Sequence, residues 1–235
     1  MKSNAGIGTL NEQSLHASLK VWLAQPGDQF EQRIGRYHID IIRGPLLIEI
    51  QTKNFGQIRE KLTRLLEDHQ ILLVHPIPKA KWIVKKSKRG KLLSKRKSSK
   101  RGDLPQLFDE LLYISDLVSH PNFKLQVLLT EQEEIWRDDG KGSWRRKHWS
   151  IDDSKLLGVV DSVTFSKLAD YMDMMPASLQ TPFTHREMSK AMKVPIWVST
   201  RMSYCLRKMG ALYVVGKRGR ALMLAPYSTD KISTT

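Results

Sequence analysis

The stretch that decides the fold runs from residue 36 to residue 55 and reads RYHIDIIRGPLLIEIQTKNF. Two apolar runs flank a Gly44-Pro45 pair, a pattern that predicts a β-hairpin. Because side chains alternate along a strand, a turn centred on this pair sets Asp40 directly opposite Glu49. A bulged or odd-length loop would shift the pairing by one residue. The hairpin therefore raises the question of why two acids share one face of apolar strands.

The elements around the hairpin predict an α/β fold in the order αβββαβ. A helix begins at Asn11, the short strand QFEQRI precedes the hairpin, and a second helix, GQIREKLTRLLEDH, leads to the apolar strand ILLVHPI. Apolar residues at helical spacing mark the inner faces of the two helices. They are Leu15, Leu19, Trp22 and Leu23 in the first helix, and Ile58, Leu62, Leu65 and Leu66 in the second.

Asp40 and Glu49 repel each other if both are ionised. Protonation of one acid or a divalent cation with oxygen ligands relieves this repulsion, and Mg²⁺ or Mn²⁺ is the expected ion. On the same predicted strand face, Gln51 and Lys53 are placed to orient a water or to offset charge on a phosphate. The alternative is that Lys53 or Arg36 neutralises either acid without any metal.

The order of elements, with Asp40 on the second strand and Glu49-Ile50-Gln51 on the third, resembles the PD-(D/E)XK nuclease superfamily over about residues 11–76. The resemblance implies a restriction endonuclease-like core in which Asp40 and Glu49 bind the metal and Glu12, on the first helix, completes the metal site. Gln51 stands where that family has its catalytic lysine. A Gln-x-Lys version of the motif would give the lysine's role to Lys53.

Composition points to a polyanionic partner. The 235 residues carry a formal net charge of +15 and have a pI near 9.9, which favours nucleic acid, although charge alone leaves an acidic membrane surface open. No apolar run is long enough for a membrane span and the N-terminus lacks a secretory pattern, so a cytoplasmic protein is expected. The single cysteine, Cys205, excludes an internal disulfide and a cysteine-based zinc site.

Residues 79–101 contain twelve Lys or Arg and no acid. We expect the strand WIVKK to decay into a loop that lies along a phosphate backbone; a solvated loop with no partner is the alternative. A helix over DLPQLFDELLYISDLVSH, capped by Asp103, and the strand FKLQVLLTEQEEIW follow. For the basic loop RDDGKGSWRRKHW, two interpretations stay open: it contacts nucleic acid, or it is solvent-exposed surface without a partner. The DNA-binding residues expected in residues 79–101 are Lys85, Lys86, Lys88, Arg89, Lys95, Arg96 and Lys97.

Residues 182–226 resemble a winged helix-turn-helix domain: a helix capped by Thr184, a turn, a second helix ended by Gly210, and a strand pair with a basic tip. Glu187 is the only acid between Phe183 and Tyr227, which favours DNA over a protein partner or dimerisation. The residues expected to contact DNA are Ser199, Thr200, Arg201, Arg207, Lys208, Lys217, Arg218 and Arg220.

The sequence thus predicts a nuclease-like domain at 1–122, a connecting strand and helix region at 123–175, and a winged-helix domain at 176–230. The expected function is metal-dependent cleavage of duplex or branched DNA, with a homodimer as one arrangement that cuts both strands. Two alternatives stay open: a DNA-binding protein without catalysis, which Gln51 favours, and an RNA-binding or RNA-processing protein, which the basic residues and six tryptophans favour.

Overall fold

A computed structural model describes residues 14–227. The predicted α/β class is confirmed: a seven-stranded mixed sheet has helices on both faces, and a three-stranded sheet follows it. The strands are β1 (Gln29–Ile34), β2 (Tyr37–Arg43), β3 (Leu46–Ile50), β4 (Gln70–Lys86), β5 (Leu92–Lys97), β6 (Phe123–Arg137), β7 (Ser150–Phe165), β8 (Phe183–Thr184), β9 (Leu212–Arg218) and β10 (Ala221–Pro226). The helices are α1 (Ser14–Leu23), α2 (Phe55–Leu65), α3 (Leu107–Leu111), α4 (Leu168–Met172), α5 (His185–Met192) and α6 (Ile196–Lys208).

The large sheet has the order β1-β2-β3-β4-β6-β7, and β5 pairs with the far half of β4. Strand β4 runs parallel to β3 and β6, whereas the β1-β2-β3 meander is antiparallel. The observed order of α1 to β4 is αβββαβ, as expected from the sequence. Residues 123–165, expected to connect two domains, contribute the two long strands β6 and β7 to this same sheet.

The register of the hairpin agrees with the prediction. Arg43 pairs with Leu46, and the ladder continues through Ile41 and its partner Ile48. The two-residue Gly44-Pro45 turn starts this register because Gly44 adopts a positive φ of 54°, which a residue without Cβ reaches at little cost. The ladder ends at Ile41 and Ile48, so the predicted pairing of Asp40 with Glu49 is not part of it; the Asp40 side chain contacts α1, whereas the Glu49 side chain contacts α2.

Strand β4 is longer than predicted, because the apolar strand and the WIVKK strand form one element of 17 residues. Within residues 14–227, no strand pairs with this edge of β4 between the part that pairs with β3 and the part that pairs with β5, and Pro76 and Pro78 lie there. Proline has no N–H to donate, so it fits where no ladder bond is needed. The expected decay of residues 79–101 into a loop is wrong, since residues 92–97 form β5 and close a hairpin.

The two faces of the sheet bury separate hydrophobic clusters. Helix α1 covers one face with Leu15, Leu19 and Leu23, which pack against Ile48 and other strand residues. Trp22, predicted to face inward with them, is 48% exposed, because the buried stripe of this short helix is a single row of three leucines spaced four residues apart. The opposite face carries α2 and α3, and three α6 residues, Met202, Cys205 and Leu206, belong to the same cluster.

The helix expected after Asp103 is shorter than predicted. A 3₁₀ turn covers residues 104–106, α3 spans only Leu107–Leu111, and turns continue to residue 119. Leu107, Leu111 and Ile114, which share one face at helical spacing, are nevertheless fully buried. Glu110 on α3 accepts a hydrogen bond at 2.9 Å from the backbone N–H of Phe55, and this contact secures the first turn of α2.

The C-terminal part folds as α4-β8-α5-α6-β9-β10, with β10 between β8 and β9. Thr184 caps α5 as predicted, and its side chain and that of Glu187 form a reciprocal capping box. The apolar residues on the inner side of α6 and at its end are buried: Val198, Met202, Cys205, Leu206 and Met209. In the described range, residues 14–227, no helix is long and apolar enough to cross a membrane.

Candidate active site

The two acids of the hairpin lie where β2 and β3 separate. The Ile50 backbone N–H donates to Asp40 Oδ2 at 2.8 Å, so a carboxylate takes the place of a backbone acceptor. Strand β3 ends at Ile50. The chain then turns through residues 51–54 into α2, which packs back over the sheet face that carries Glu49. The opening of the ladder therefore places both carboxylates at the carboxyl end of β3.

Helix α1 supplies a histidine and a lysine beside Asp40. His16 Nε2 lies 3.2 Å from Asp40 Oδ2, and Lys20 Nζ lies 3.9 Å from Asp40 Oδ1. Burial alone would raise the pKa of Asp40, but the hydrogen bonds from His16 and from the Ile50 amide, with the charge of Lys20, hold this pKa below its usual value. Asp40 is therefore ionised at neutral pH.

Helix α2 supplies the cation beside Glu49. Lys61 Nζ lies 2.6 Å from Glu49 Oε1 and also donates to the backbone carbonyl of His38. Burial, opposed by the attraction of Lys61 and assisted by the negative charge of Asp40, raises the pKa of Glu49 to about 7. Oε1 is buried without a hydrogen bond of good geometry from the residues described, so the ion pair is its main interaction there. The charge of Asp40 thus contributes to the raised pKa of Glu49, whereas the pKa of Asp40 itself is lowered.

Gln51 and Lys53 do not lie on the strand face predicted for them. Because β3 ends at Ile50, the alternation of side chains stops before either residue. The Gln51 side chain instead donates to the Lys53 carbonyl at 2.6 Å and to the Asn54 carbonyl at 3.3 Å. It thereby holds the turn in which Asn54 adopts a positive φ of 60° before α2. Lys53 is exposed and lines a surface cavity with Leu15.

The expected third metal ligand, Glu12, lies outside the described residues. Within residues 14–227, no group of three or more His, Cys, Asp and Glu residues is arranged to hold a metal ion. Asp40 and Glu49 still provide two oxygen donors, one of them a buried and incompletely satisfied carboxylate. Mg²⁺ is commonly held by one or two protein carboxylates, with water and phosphate oxygens as its other ligands. The donor set therefore fits such an ion.

Aromatic rings order part of the β4–β5 hairpin. Lys85 Nζ lies 4.5 Å from the centre of the Trp149 ring, and Lys97 Nζ lies 5.0 Å from that of Trp82. Lys95 is engaged otherwise, in an ion pair with Glu133. The remaining residues expected to bind nucleic acid in this segment are all at least partly exposed: Lys86, Lys88, Arg89 and Arg96.

The predicted outer face of α6 needs one correction. Ser199, expected to contact DNA, is fully buried and donates to the backbone carbonyls of His185 and Ile196 at 2.9 and 2.8 Å. Its hydroxyl faces α5 because the helix packs against α5 along this side. Ser203, one turn further along α6, is likewise buried.

The other residues expected to contact DNA on the C-terminal unit are exposed: Thr200, Arg201, Arg207, Lys208, Lys217, Arg218 and Arg220. Arg201 forms an ion pair with Asp109 of α3 at 2.6 Å and lies over Trp197, which is 47% exposed. Arg218 pairs with Glu187 at 2.7 Å. The surface is basic, but two of its arginines already have acidic partners.

Comparison with known proteins gives a family and no activity. Residues 13–166 match the model of a domain of unknown function, DUF8091. The chain belongs to this family. An uncharacterized protein of Treponema pallidum (strain Nichols) is 32% identical over 160 residues, which cover 68% of this chain and 64% of the relative. The match therefore spans a little less than two thirds of that relative. No solved structure matches the chain.

The DUF8091 match begins just before α1 and ends one residue after β7, so it contains the whole large sheet and both acids. Sequence reasoning missed the three basic residues that surround these acids, His16, Lys20 and Lys61. Their signal was weak, because each is a polar residue in an amphipathic helix. The short connection from β3 to α2 was the available signal for Lys61, because it brings the first turns of α2 back over β3.

Proposed function

We propose that this protein is a metal-dependent DNA endonuclease that hydrolyses phosphodiester bonds at the end of the β2–β3 hairpin. The observation that carries the proposal is the unequal pair of acids. Asp40 is held ionised, whereas the pKa of Glu49 is raised to about 7 by burial and by the charge of Asp40. Neighbouring carboxylates whose pKa values are driven apart are characteristic of sites that bind metals or transfer protons.

The αβββαβ order, with Asp40 on the second strand and Glu49 on the third, supports a restriction endonuclease-like core. In this proposal Asp40 and Glu49 hold Mg²⁺ or Mn²⁺. Such an ion supplies charge neutralisation at the phosphate and activation of the attacking water. The ionised Asp40 is ready to bind a cation, and Glu49 loses its proton when one binds.

Lys61 takes the role that the sequence suggested for Gln51 or Lys53. Its ammonium lies against Glu49 on a helix, whereas Gln51 is occupied by the backbone of the turn. A fixed positive charge beside the acids offsets the negative charge that develops on a phosphate under attack. His16 holds the Asp40 carboxylate in position through its hydrogen bond.

The C-terminal unit supports a DNA substrate. The order α4-β8-α5-α6-β9-β10, with β10 central in its sheet, has the element sequence of a winged helix, in which the second helix of the pair enters the major groove. On that helix, α6, Thr200, Arg201 and Arg207 are exposed, and Lys217 and Arg220 extend the basic surface along the β9–β10 hairpin. These residues would bind the duplex while the metal site at the hairpin acids hydrolyses it.

One alternative has an observation in its favour. Each acid already has a lysine beside it, Lys20 for Asp40 and Lys61 for Glu49, and the Gln51 side chain bonds to the backbone of the turn. A protein of this kind binds DNA through its basic surfaces and does not cut it. Ion pairs of this sort also perturb pKa values in structural networks that have no catalytic role.

A cleavage assay separates the two functions. Supercoiled, linear duplex, single-stranded, branched and methylated DNA are incubated with Mg²⁺, with Mn²⁺ or with EDTA. We expect metal-dependent cleavage by the wild-type protein on at least one substrate, and its loss in Asp40→Ala and Glu49→Ala. DNA binding without cleavage on every substrate would establish the alternative.

A further inference from the structure

We propose that a basic cavity on the sheet, distant from α6, binds a single-stranded segment of nucleic acid. The cavity has a volume of about 480 Å³ and lies between β5, the segment 98–100 and the loop that joins β6 to β7. Its size falls in the range of about 300–1,000 Å³ that is typical of ligand sites. The residues that define this basic cavity are Lys81, Arg96, Lys100, Trp136, Arg145 and Arg146.

The charge of the basic cavity is available to a ligand. Its acid, Glu134, is already neutralised by Lys81 at 2.7 Å and accepts a hydrogen bond from the Trp136 indole at 2.7 Å. As far as residues 14–227 show, Arg96, Lys100 and Arg145 make no ion pair with a carboxylate. Uncompensated cations clustered around a concave surface attract phosphate groups.

Aromatic rings border the same surface. Trp144 is 75% exposed at the tip of the loop between β6 and β7, and the Arg145 guanidinium lies 5.6 Å from its ring centre. Lys85, next along the β4 face, is held over Trp149. Cations alternating with indoles are the combination that single strands use, because backbone phosphates meet the cations and bases stack on the rings. A base in a duplex has no free face to offer Trp144, so the surface favours an unpaired strand.

The basic cavity adjoins the cavity that Lys53 lines, because Glu134 and Ile151 form walls of both. A strand seated in the basic cavity can therefore continue toward the turn at residues 51–54, immediately after Glu49. This second step rests on the proposed nuclease function, whereas the binding itself does not. The surface would hold a strand that has been separated from its partner near the cutting site.

Fluorescence anisotropy in EDTA tests the inference without any cleavage. The probe is a labelled oligonucleotide of about 12 nucleotides, within the span of about 4–16 nucleotides that single-strand sites cover. Single-stranded DNA, single-stranded RNA and duplex DNA are measured with Arg96→Glu/Arg145→Glu. The matched control is Arg64→Glu/Lys124→Glu, which changes the net charge equally. Lys124 lies ten residues from Glu134 along β6, about 33 Å away.

We expect the cavity variant to bind single strands at least about tenfold more weakly than wild type. The slope of log K against log[salt] should be smaller in magnitude by about two. The control stays close to wild type, and both variants keep the wild-type thermal unfolding midpoint. Trp144→Ala weakens binding, and Trp144→Phe restores most of it. Equal binding by the cavity variant and the control overturns the inference, as does a loss confined to duplex DNA.

The remaining outcomes separate this inference from the proposed function. Cavity-dependent binding without metal-dependent cleavage supports the inference and contradicts the nuclease proposal. Wild-type cleavage by the cavity variant, together with unchanged binding of single strands, supports the nuclease proposal and contradicts the inference. Tighter cavity-dependent binding of RNA than of DNA supports the single-strand site and argues against DNA as the substrate.

Discussion

Lys61 Nζ lies 2.6 Å from Glu49 Oε1, so an ammonium from α2 neutralises the buried acid of the hairpin. Both side chains are largely shielded from water, with exposed fractions of 17% and 7%. Removing one partner of a buried pair leaves an uncompensated charge and costs far more than breaking a surface pair.

Lys61→Met is therefore expected to raise the pKa of Glu49 above about 7. At pH 8.5 the variant should lose on the order of 3 kcal/mol of unfolding free energy, and less at pH 5.5, where Glu49 is protonated. Urea denaturation at the two pH values measures this difference. Lys53→Met, which removes an exposed lysine, is the control. An equal loss at both pH values would show that the ion pair is not the cause.

Glu49 should also make the protein less stable as pH rises. Its folded-state pKa of about 7 lies above the value of 4.5 that it has when unperturbed, so the folded chain keeps a proton that the unfolded chain releases. The stabilisation is complete below about pH 4.5 and is lost as pH rises to about 7, with a total on the order of 3 kcal/mol. The wild-type stability relative to Glu49→Gln should fall across this window. A constant difference would contradict the raised pKa.

Lys61 and Lys53 should differ in their effect on catalysis. We expect Lys61→Met to reduce the rate of metal-dependent DNA cleavage by about 10²-fold or more, as the removal of a charge-stabilising group does elsewhere. Lys53→Met should stay within about threefold of wild type on a short duplex, an effect well below 1.4 kcal/mol. Single-turnover rates measure both. A large loss in Lys53→Met with an active Lys61→Met would restore the assignment made from the sequence.

Ser199 should matter for stability and not for DNA binding. Its buried hydroxyl bonds to the His185 carbonyl, and Ser199→Ala removes that bond at a cost of about 1 kcal/mol. Thr200→Ala, one residue on, changes an exposed side chain of α6 and should leave stability nearly unchanged. Chemical denaturation and duplex binding are compared for both variants. Weaker DNA binding by a fully stable Ser199→Ala protein would contradict the burial.

The hairpin and its surroundings followed from local sequence rules. The Gly44-Pro45 turn and period-two alternation predicted the register from Arg43 and Leu46 to Ile41 and Ile48, and helical spacing predicted the buried leucines of α1 and α2. These features depend on neighbours within a few residues, so they can be predicted from the local sequence.

The errors came from places where tertiary structure overrides local pattern. The end of β3 at Ile50 depends on the helix that follows, and alternation extended past it misplaced Gln51 and Lys53. Residues 92–97 are too basic to suggest a strand, yet β4 provides the edge on which they pair. His16 and Lys20 come from α1 and Lys61 comes from α2, and these two helices cover opposite faces of the sheet. Periodicity within one element does not reveal such contacts between elements.

Anomalous diffraction from crystals soaked in Mn²⁺ tests the central claim most directly, because it locates the ion without relying on activity. We expect one peak within coordination distance, about 2.0–2.6 Å, of carboxylate oxygens of both Asp40 and Glu49, absent from crystals of Asp40→Asn. Crystals at pH 8, above the pKa of Glu49, favour occupancy. A clear Mn²⁺ peak elsewhere, with Glu49 still paired only to Lys61, would contradict a metal site at this hairpin.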